Sequence, residues 1–161
     1  MAVNKLFLTD VYNDDYKLIA IHSSLEAYKL AFFINQYLEI QLKREEVDVD
    51  FTHEHSIGFY PLYYHYCTAT GCDFNLVANK CRANATNLQS NGSLFPKSGS
   101  AQLTYLVPEY KWADFFFKID DFSKLVNVPS LVEKINTIKQ VVTAYEVVTS
   151  TLKSKQNLIF N

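Results

Sequence analysis

The stretch Val141-Val142-Thr143-Ala144-Tyr145-Glu146-Val147-Val148 decides how the rest of the chain is read. Two readings compete for it. An apolar stripe through Leu131, Ile135, Ile138, Val142, Tyr145 and Leu152 runs at helical spacings and would make one long helix with a coiled-coil-like seam. Against that, the run is dense in β-branched residues, which lose rotamer freedom in a helix and suit a pleated surface. The second argument is preferred. The helix opened by Pro129-Ser130-Leu131-Val132-Glu133, with Pro, Ser and Glu in a helix-start arrangement, then ends near Lys139, and Val141 to Val148 is a strand. Residues 149–161 form a tail pinned by Leu158, Ile159 and Phe160.

Working outward, Tyr16 to His22 is a β-rich run that ends where Ser23 and Glu26 stand in capping-box spacing. A strand feeds a helix, expected from Ser24 to Lys43, with Tyr28, Phe32, Leu38 and Leu42 turned inward and Lys29, Gln36, Lys43 and Glu45 outward. Val47 to Phe51 alternates with period two, and so does Phe59 to Cys67 around an edge-type Pro61. Phe74 to Asn79 is a short strand, and the polar stretch 82–100 is a long loop. Gln102 to Val107 is a strand, Pro108 to Lys111 a turn, and Trp112 to Ile119 a strand. In that last strand Trp112, Asp114, Phe116 and Lys118 share one face; Ala113, Phe115, Phe117 and Ile119 share the other, which is the better core face.

This order predicts one α+β domain spanning 1–161: an antiparallel sheet with two helices on one face, ferredoxin-like (split βαβ) with extra strands. The opposite face is expected to be left to solvent, to the loop or to a second copy. Composition agrees with a globular chain, since 48% of residues are hydrophobic and 20% charged. The 11 Tyr and 12 Phe argue for a sheet with an aromatic face. If that face carries Tyr60, Tyr64, Trp112 or Phe116, it exposes more apolar surface than a monomer tolerates, and a protein partner or homodimer is expected. Fifteen Lys and Arg against seventeen Asp and Glu leave a net charge of −2 without a basic block, which disfavours nucleic acid. No apolar run approaches the length of a membrane span, and no signal-peptide succession opens the chain. The odd set Cys67, Cys72 and Cys81 fits a reducing, cytoplasmic compartment. The Asn84-Ala85-Thr86 and Asn91-Gly92-Ser93 sequons are then chance matches.

Val107-Pro108-Glu109-Tyr110-Lys111-Trp112-Ala113-Asp114-Phe115 resembles the signature of the IPExxxVDY family of Bacteroidota. Pro108, Glu109 and Asp114 match it, while Val107, Ala113 and Phe115 stand where the family has Ile, Val and Tyr. Tyr16 to His22, Leu152 to Lys155 and Asn157 to Phe160 also read like members. The resemblance brings no activity, cofactor or partner with it.

The signature turn supplies the candidate binding residues Pro108, Glu109, Lys111, Trp112 and Asp114. Glu109 and Asp114 are near enough in sequence to converge as an acid–base pair or around a cation. The commoner arrangement has Glu109 accepting from turn amides and Asp114 paired with Lys111 or Lys118. Trp112 is a candidate stacking platform or protein anchor. His53-Glu54-His55 with the three cysteines lacks any structural zinc spacing, so no metal ligand is assigned. His65 reads as a strand side chain. No Gly-x-Ser-x-Gly elbow occurs, and Gly58, Gly71, Gly92 and Gly99 form no phosphate cradle. The chain is therefore read as a non-catalytic module, with no catalytic residue and no cofactor assigned. The alternatives are a small-metabolite-binding regulatory domain and, last, an acid–base hydrolase using Glu109 and Asp114.

Overall fold

The computed structural model describes residues 16–54, 56–83 and 101–160. The first fifteen residues, His55, Asn161 and the stretch 84–100, with both sequons and most of the expected polar loop, lie outside the described residues. In chain order the elements are β1 (Tyr16–Ser23), α1 (Ala27–Leu38), β2 (Lys43–Arg44), β3 (Val49–His53), β4 (Ser56–Tyr60), β5 (Leu62–Cys67), β6 (Cys72–Ala78), β7 (Lys80–Ala83), β8 (Gln102–Tyr105), β9 (Phe115–Asp121), α2 (Val128–Asn136) and β10 (Val141–Val147).

The β-branched run is extended, as its rotamer preferences require, and β10 pairs antiparallel with β1 from Leu18↔Val147 to Ser23↔Val141, with a bulge near His22. Further antiparallel pairings build a six-stranded sheet in the order β10-β1-β9-β6-β5-β2. The hairpins β3–β4 and β7–β8 form two small separate sheets. The fold is mixed α+β, with a mostly antiparallel sheet and two helices.

Both helices pack on one face of the large sheet, against Ile19, Ile21, Phe74, Leu76, Phe115, Phe117 and Ile119. The expected capping box does not form. Ser23 remains the last residue of β1, where its hydroxyl accepts from the Leu25 amide (3.2 Å) and donates to the Gln140 carbonyl (3.0 Å). α1 therefore starts at Ala27, and it ends before Glu39, whose left-handed backbone (φ 57°) stops the helix short of the expected Lys43. Its buried stripe is Leu30, Ala31, Ile34 and Leu38. Tyr28 and Phe32, expected inside, are 55% and 57% exposed. Leu42 is buried but lies past the helix, where the Asn35 amide brackets it by donating to its carbonyl (3.1 Å) and accepting from its N–H (2.7 Å). α2 is capped by Asn127, which accepts from the Ser130 amide (3.0 Å), and not by the Ser130 arrangement; it buries Val128 and Ile135, with Ile138 just beyond.

The second face departs most from expectation. The protein covers much of it with its own chain: the two small hairpins, residues 106–113 and the C-terminal tail place Leu106, Val107, Ala113, Leu152 and Leu158 against Leu18, Ala20, Val77 and Phe116. Tyr60 and Phe116 are completely buried, so of the four rings expected on an open face only Tyr64 and Trp112 are exposed. Ala113 packs here too, and not beside Phe115 and Phe117. Proline explains part of the difference. Pro61 has no N–H to offer a ladder and divides the expected Phe59–Cys67 strand in two, so that Tyr60 ends a covering hairpin and Leu62 begins a strand of the large sheet. Gly58 is needed beneath Tyr60, because a Cβ there would lie 2.7 Å from the phenol oxygen. Among the described residues no helix is long and apolar enough to cross a membrane.

These placements predict unequal costs for two ring deletions measured by urea unfolding. Phe117→Ala, in the middle of the helix-covered layer, should cost about 3–5 kcal/mol, whereas Phe32→Ala should change stability by no more than about 0.5 kcal/mol.

Candidate functional site

The signature turn follows β8 and is built as two overlapping reversals. The Tyr110 amide donates to the Val107 carbonyl (3.1 Å), and the Ala113 amide to the Tyr110 carbonyl (3.0 Å). Pro108 opens the short 3₁₀ turn Pro108–Tyr110, a position where its missing N–H costs nothing. The strand expected from Trp112 begins only at Phe115, because residues 107–113 are spent on these reversals.

Asn79, at the corner between β6 and β7, holds the turn in place. Its side chain donates to the carbonyls of Tyr110 (2.8 Å) and Ala113 (2.9 Å) and accepts from the Val107 amide (2.8 Å). Its own N–H donates to the Asp114 carbonyl (2.9 Å), and its carbonyl accepts from Leu106 (2.9 Å). Asn79 is fully buried, so these five bonds satisfy groups that water cannot reach. The sequence reading took Asn79 only as the end of a strand.

Both signature carboxylates are bonded within the protein. Glu109 reaches the tail: one oxygen accepts from the amides of Lys153 and Ser154 (2.7 Å each), the other from the Ser154 hydroxyl (2.7 Å). Partial burial works against its charge, but those hydrogen bonds outweigh it and hold the carboxyl below its ordinary value. Asp114 lies at the mouth of β9, accepting from the Ser23 amide (2.9 Å) with one oxygen and pairing with Lys80 (2.6 Å) through the other. The structure thus corrects the expected partners. Glu109 takes tail amides in place of turn amides, and Asp114 pairs with Lys80 in place of Lys111 or Lys118. Lys111 sits 5.9 Å over the Tyr105 ring. Trp112 is 80% exposed, beside buried Ala113.

Two further groups of polar side chains are explained by packing. Thr104 donates to the Cys81 carbonyl (3.2 Å), Tyr60 donates to Thr104 (3.1 Å), and His53 Nε2 lies 2.8 Å from the Tyr60 hydroxyl. A carbonyl can only accept, so the chain runs one way and His53 Nε2 carries the proton. Burial lowers the His53 pKa and favours the neutral ring. The second group surrounds Asp121, which accepts from Ser123 (2.8 Å), the Val126 amide (2.7 Å) and the Cys72 thiol (3.1 Å). Desolvation opposes its charge, yet these bonds bring its pKa down to about 2, while burial pushes the Cys72 thiol up. Cys67 faces Cys72 across the β5–β6 turn, its own pKa lowered by bonds to Thr70. Among the described residues no three His, Cys, Asp or Glu side chains are grouped to hold a metal. His55 of the His53-Glu54-His55 candidate lies outside the described residues.

Comparison of the chain with protein-family models, curated proteins and solved structures finds no match.

Two measurements test this wiring. Asn79→Ala leaves the Val107 N–H and the Ala113 carbonyl without partners, the Tyr110 carbonyl keeping its bond from Ala113, and should cost about 2–3 kcal/mol; Asn79→Asp, which keeps the shape but turns an acceptor toward two carbonyls, should not rescue it. Glu109, with its folded-state pKa depressed, stabilises the fold fully above its ordinary value of 4.5 and progressively less as pH falls through the folded-state value. Glu109→Gln should therefore be less stable than wild type at neutral pH, with the gap closing on acidification below 4.5.

Proposed function

We propose that this chain is a non-catalytic interaction module that docks on a protein partner through the signature turn, with Trp112 as the anchor and Lys111 and Pro108 beside it. The observation that carries this reading is the contrast within the turn. Asn79, Glu109 and Asp114 spend their hydrogen bonds inward, while the single Trp of the chain is left 80% exposed on the framework they hold. A large ring on a pre-organised turn loses little entropy on binding, and Trp is enriched among interface anchors. What weighs against an acid–base role for Glu109 and Asp114 is that their oxygens already accept from separate partners, Lys153 and Ser154 for one, Ser23 and Lys80 for the other.

Self-association is the second reading, favoured by Tyr28 and Phe32. They stand one turn apart on α1 with more than half of each ring residue exposed, in the spacing a helix uses to present two rings together. We further infer a ferredoxin-like, split βαβ core with additions. In its support, β6 and β1 flank β9, β9 and β10 flank β1, and the helices lead out of β1 and into β10. Membership of the IPExxxVDY family is proposed on the turn residues, and a cytoplasmic location on the free thiols of Cys67, Cys72 and Cys81.

Sedimentation and pull-down separate the two surfaces. With purified protein as bait in its host's extract, Trp112→Ala should lose the partner that wild type retains, at unchanged melting temperature; retention of every partner at full yield contradicts the turn as anchor. A dimer in sedimentation that Phe32→Glu dissociates would support the helix surface instead.

A further inference from the structure

Among the described residues, the covering of the second sheet face is incomplete at the end away from the signature turn. There β5, β6, β9 and β1 place Tyr64, Asn75, Lys118 and Leu18 side by side, and the next cross-strand row is Tyr66, Asp73, Asp120 and Tyr16. Directly opposed residues share a face, so these rows form a polar floor under an otherwise apolar layer. A cleft of about 700 Å³ lies over it, within the roughly 300–1,000 Å³ of ligand-sized sites. Val47 and Phe160 supply apolar walls, and Arg44, Glu45 and Glu46 stand at its border.

One feature of the floor points to a ligand. Asn75 is only 5% exposed, lines the cleft, and its side-chain amide has no hydrogen-bond partner among the described residues. The residual access of Asn75 is to the cleft it lines, so its amide is nearly buried, free of protein partners among the described residues and open to whatever the cleft holds. Lys118 is 9% exposed, but it is already neutralised by Asp120 at 2.9 Å and sits over the rings of Tyr16 (4.9 Å) and Phe160 (5.4 Å). The other cation, Arg44, is likewise paired, with Asp48.

Charge then selects the ligand class. Four carboxylates line the cleft against two cations, and both cations are engaged. Glu45 and Glu46 have no ion-pair partner among the described residues, and Asp73 is bonded by the Tyr64 hydroxyl (2.5 Å), a neutral donor. We propose that this cleft binds a small organic cation bearing an ammonium group, with Asp73 and the Glu45–Glu46 border supplying counter-charge, Asn75 hydrogen-bonding its polar end, and Tyr64 and Phe160 flanking its methylene part. An anion would have to enter against a negative excess. The site is separate from Trp112, and its occupancy does not depend on the docking reading.

Calorimetric titration with spermidine as the amine probe and adenosine monophosphate as the anionic comparator tests this on the wild-type chain, Asn75→Leu and Asp73→Asn. The expected result is stoichiometric spermidine binding that weakens with added salt and falls about tenfold or more in each variant, with no binding of the nucleotide. Asn75→Leu should melt no lower than wild type, because no bond is lost. Three outcomes overturn the proposal: nucleotide binding in preference to spermidine, spermidine binding that neither variant weakens, or a large fall in the melting temperature of Asn75→Leu, which would give Asn75 a structural task.

Discussion

The second layer of this protein depends on one amide. Asn79 leaves β6 at the point where the chain turns away from the large sheet, and from there its side chain and backbone together grip Leu106, Val107, Tyr110, Ala113 and Asp114. Without those bonds, the segment from β8 to β9 would have to bury backbone N–H and C=O groups unpaired, which folded proteins rarely tolerate. With them, Val107 and Ala113 can be driven against Phe116 and Ala20 as apolar lids. The carboxylate of Glu109 then extends the same framework to the tail, and that of Asp114 to the start of the helical layer through Ser23.

Asparagine takes this part more than once. Asn35 brackets the backbone of Leu42 as a neighbouring strand would, and Asn136 does the same for Ala144, donating to its carbonyl (2.8 Å) and accepting from its N–H (2.7 Å). The second case bears on assembly. β10 is an edge of the large sheet with Val142 exposed, the kind of strand that recruits another chain. Asn136 occupies one of its outward-facing peptide pairs, so edge-to-edge pairing is obstructed at that residue.

How much of this was legible in the sequence follows from the range of the interactions. Steric preference is local, so the β-branched residues of β10, the run from Tyr16 and the Ile135–Ile138 stripe of α2 were readable from neighbours alone. The inward face of α1 differs from the expected one because phase decides it: Tyr28 lies six residues from Ile34, about 120° around a helix from it. The aromatic face was misread for a different reason. Tyr60 and Phe116 do alternate outward from the helices, but a residue count cannot tell that Leu106, Val107, Leu152 and Leu158 will return to cover them. The polar partners were invisible. The Asn79 side chain meets residues 28 to 34 positions away, and Glu109 meets Ser154 at a separation of 45, spacings that no local pattern encodes. Asn75 and Lys118 stand out only once β6 and β9 are paired in register.

Hydrogen exchange at the Val107 amide tests the central claim most directly, because its acceptor among the described residues is the Asn79 side chain. If Asn79 fixes the signature turn on the sheet, Val107 exchanges as slowly as the Phe117 amide in the centre of β9, and both are released together in global unfolding. Exchange of Val107 at the rate of an open loop while Phe117 stays protected would contradict it.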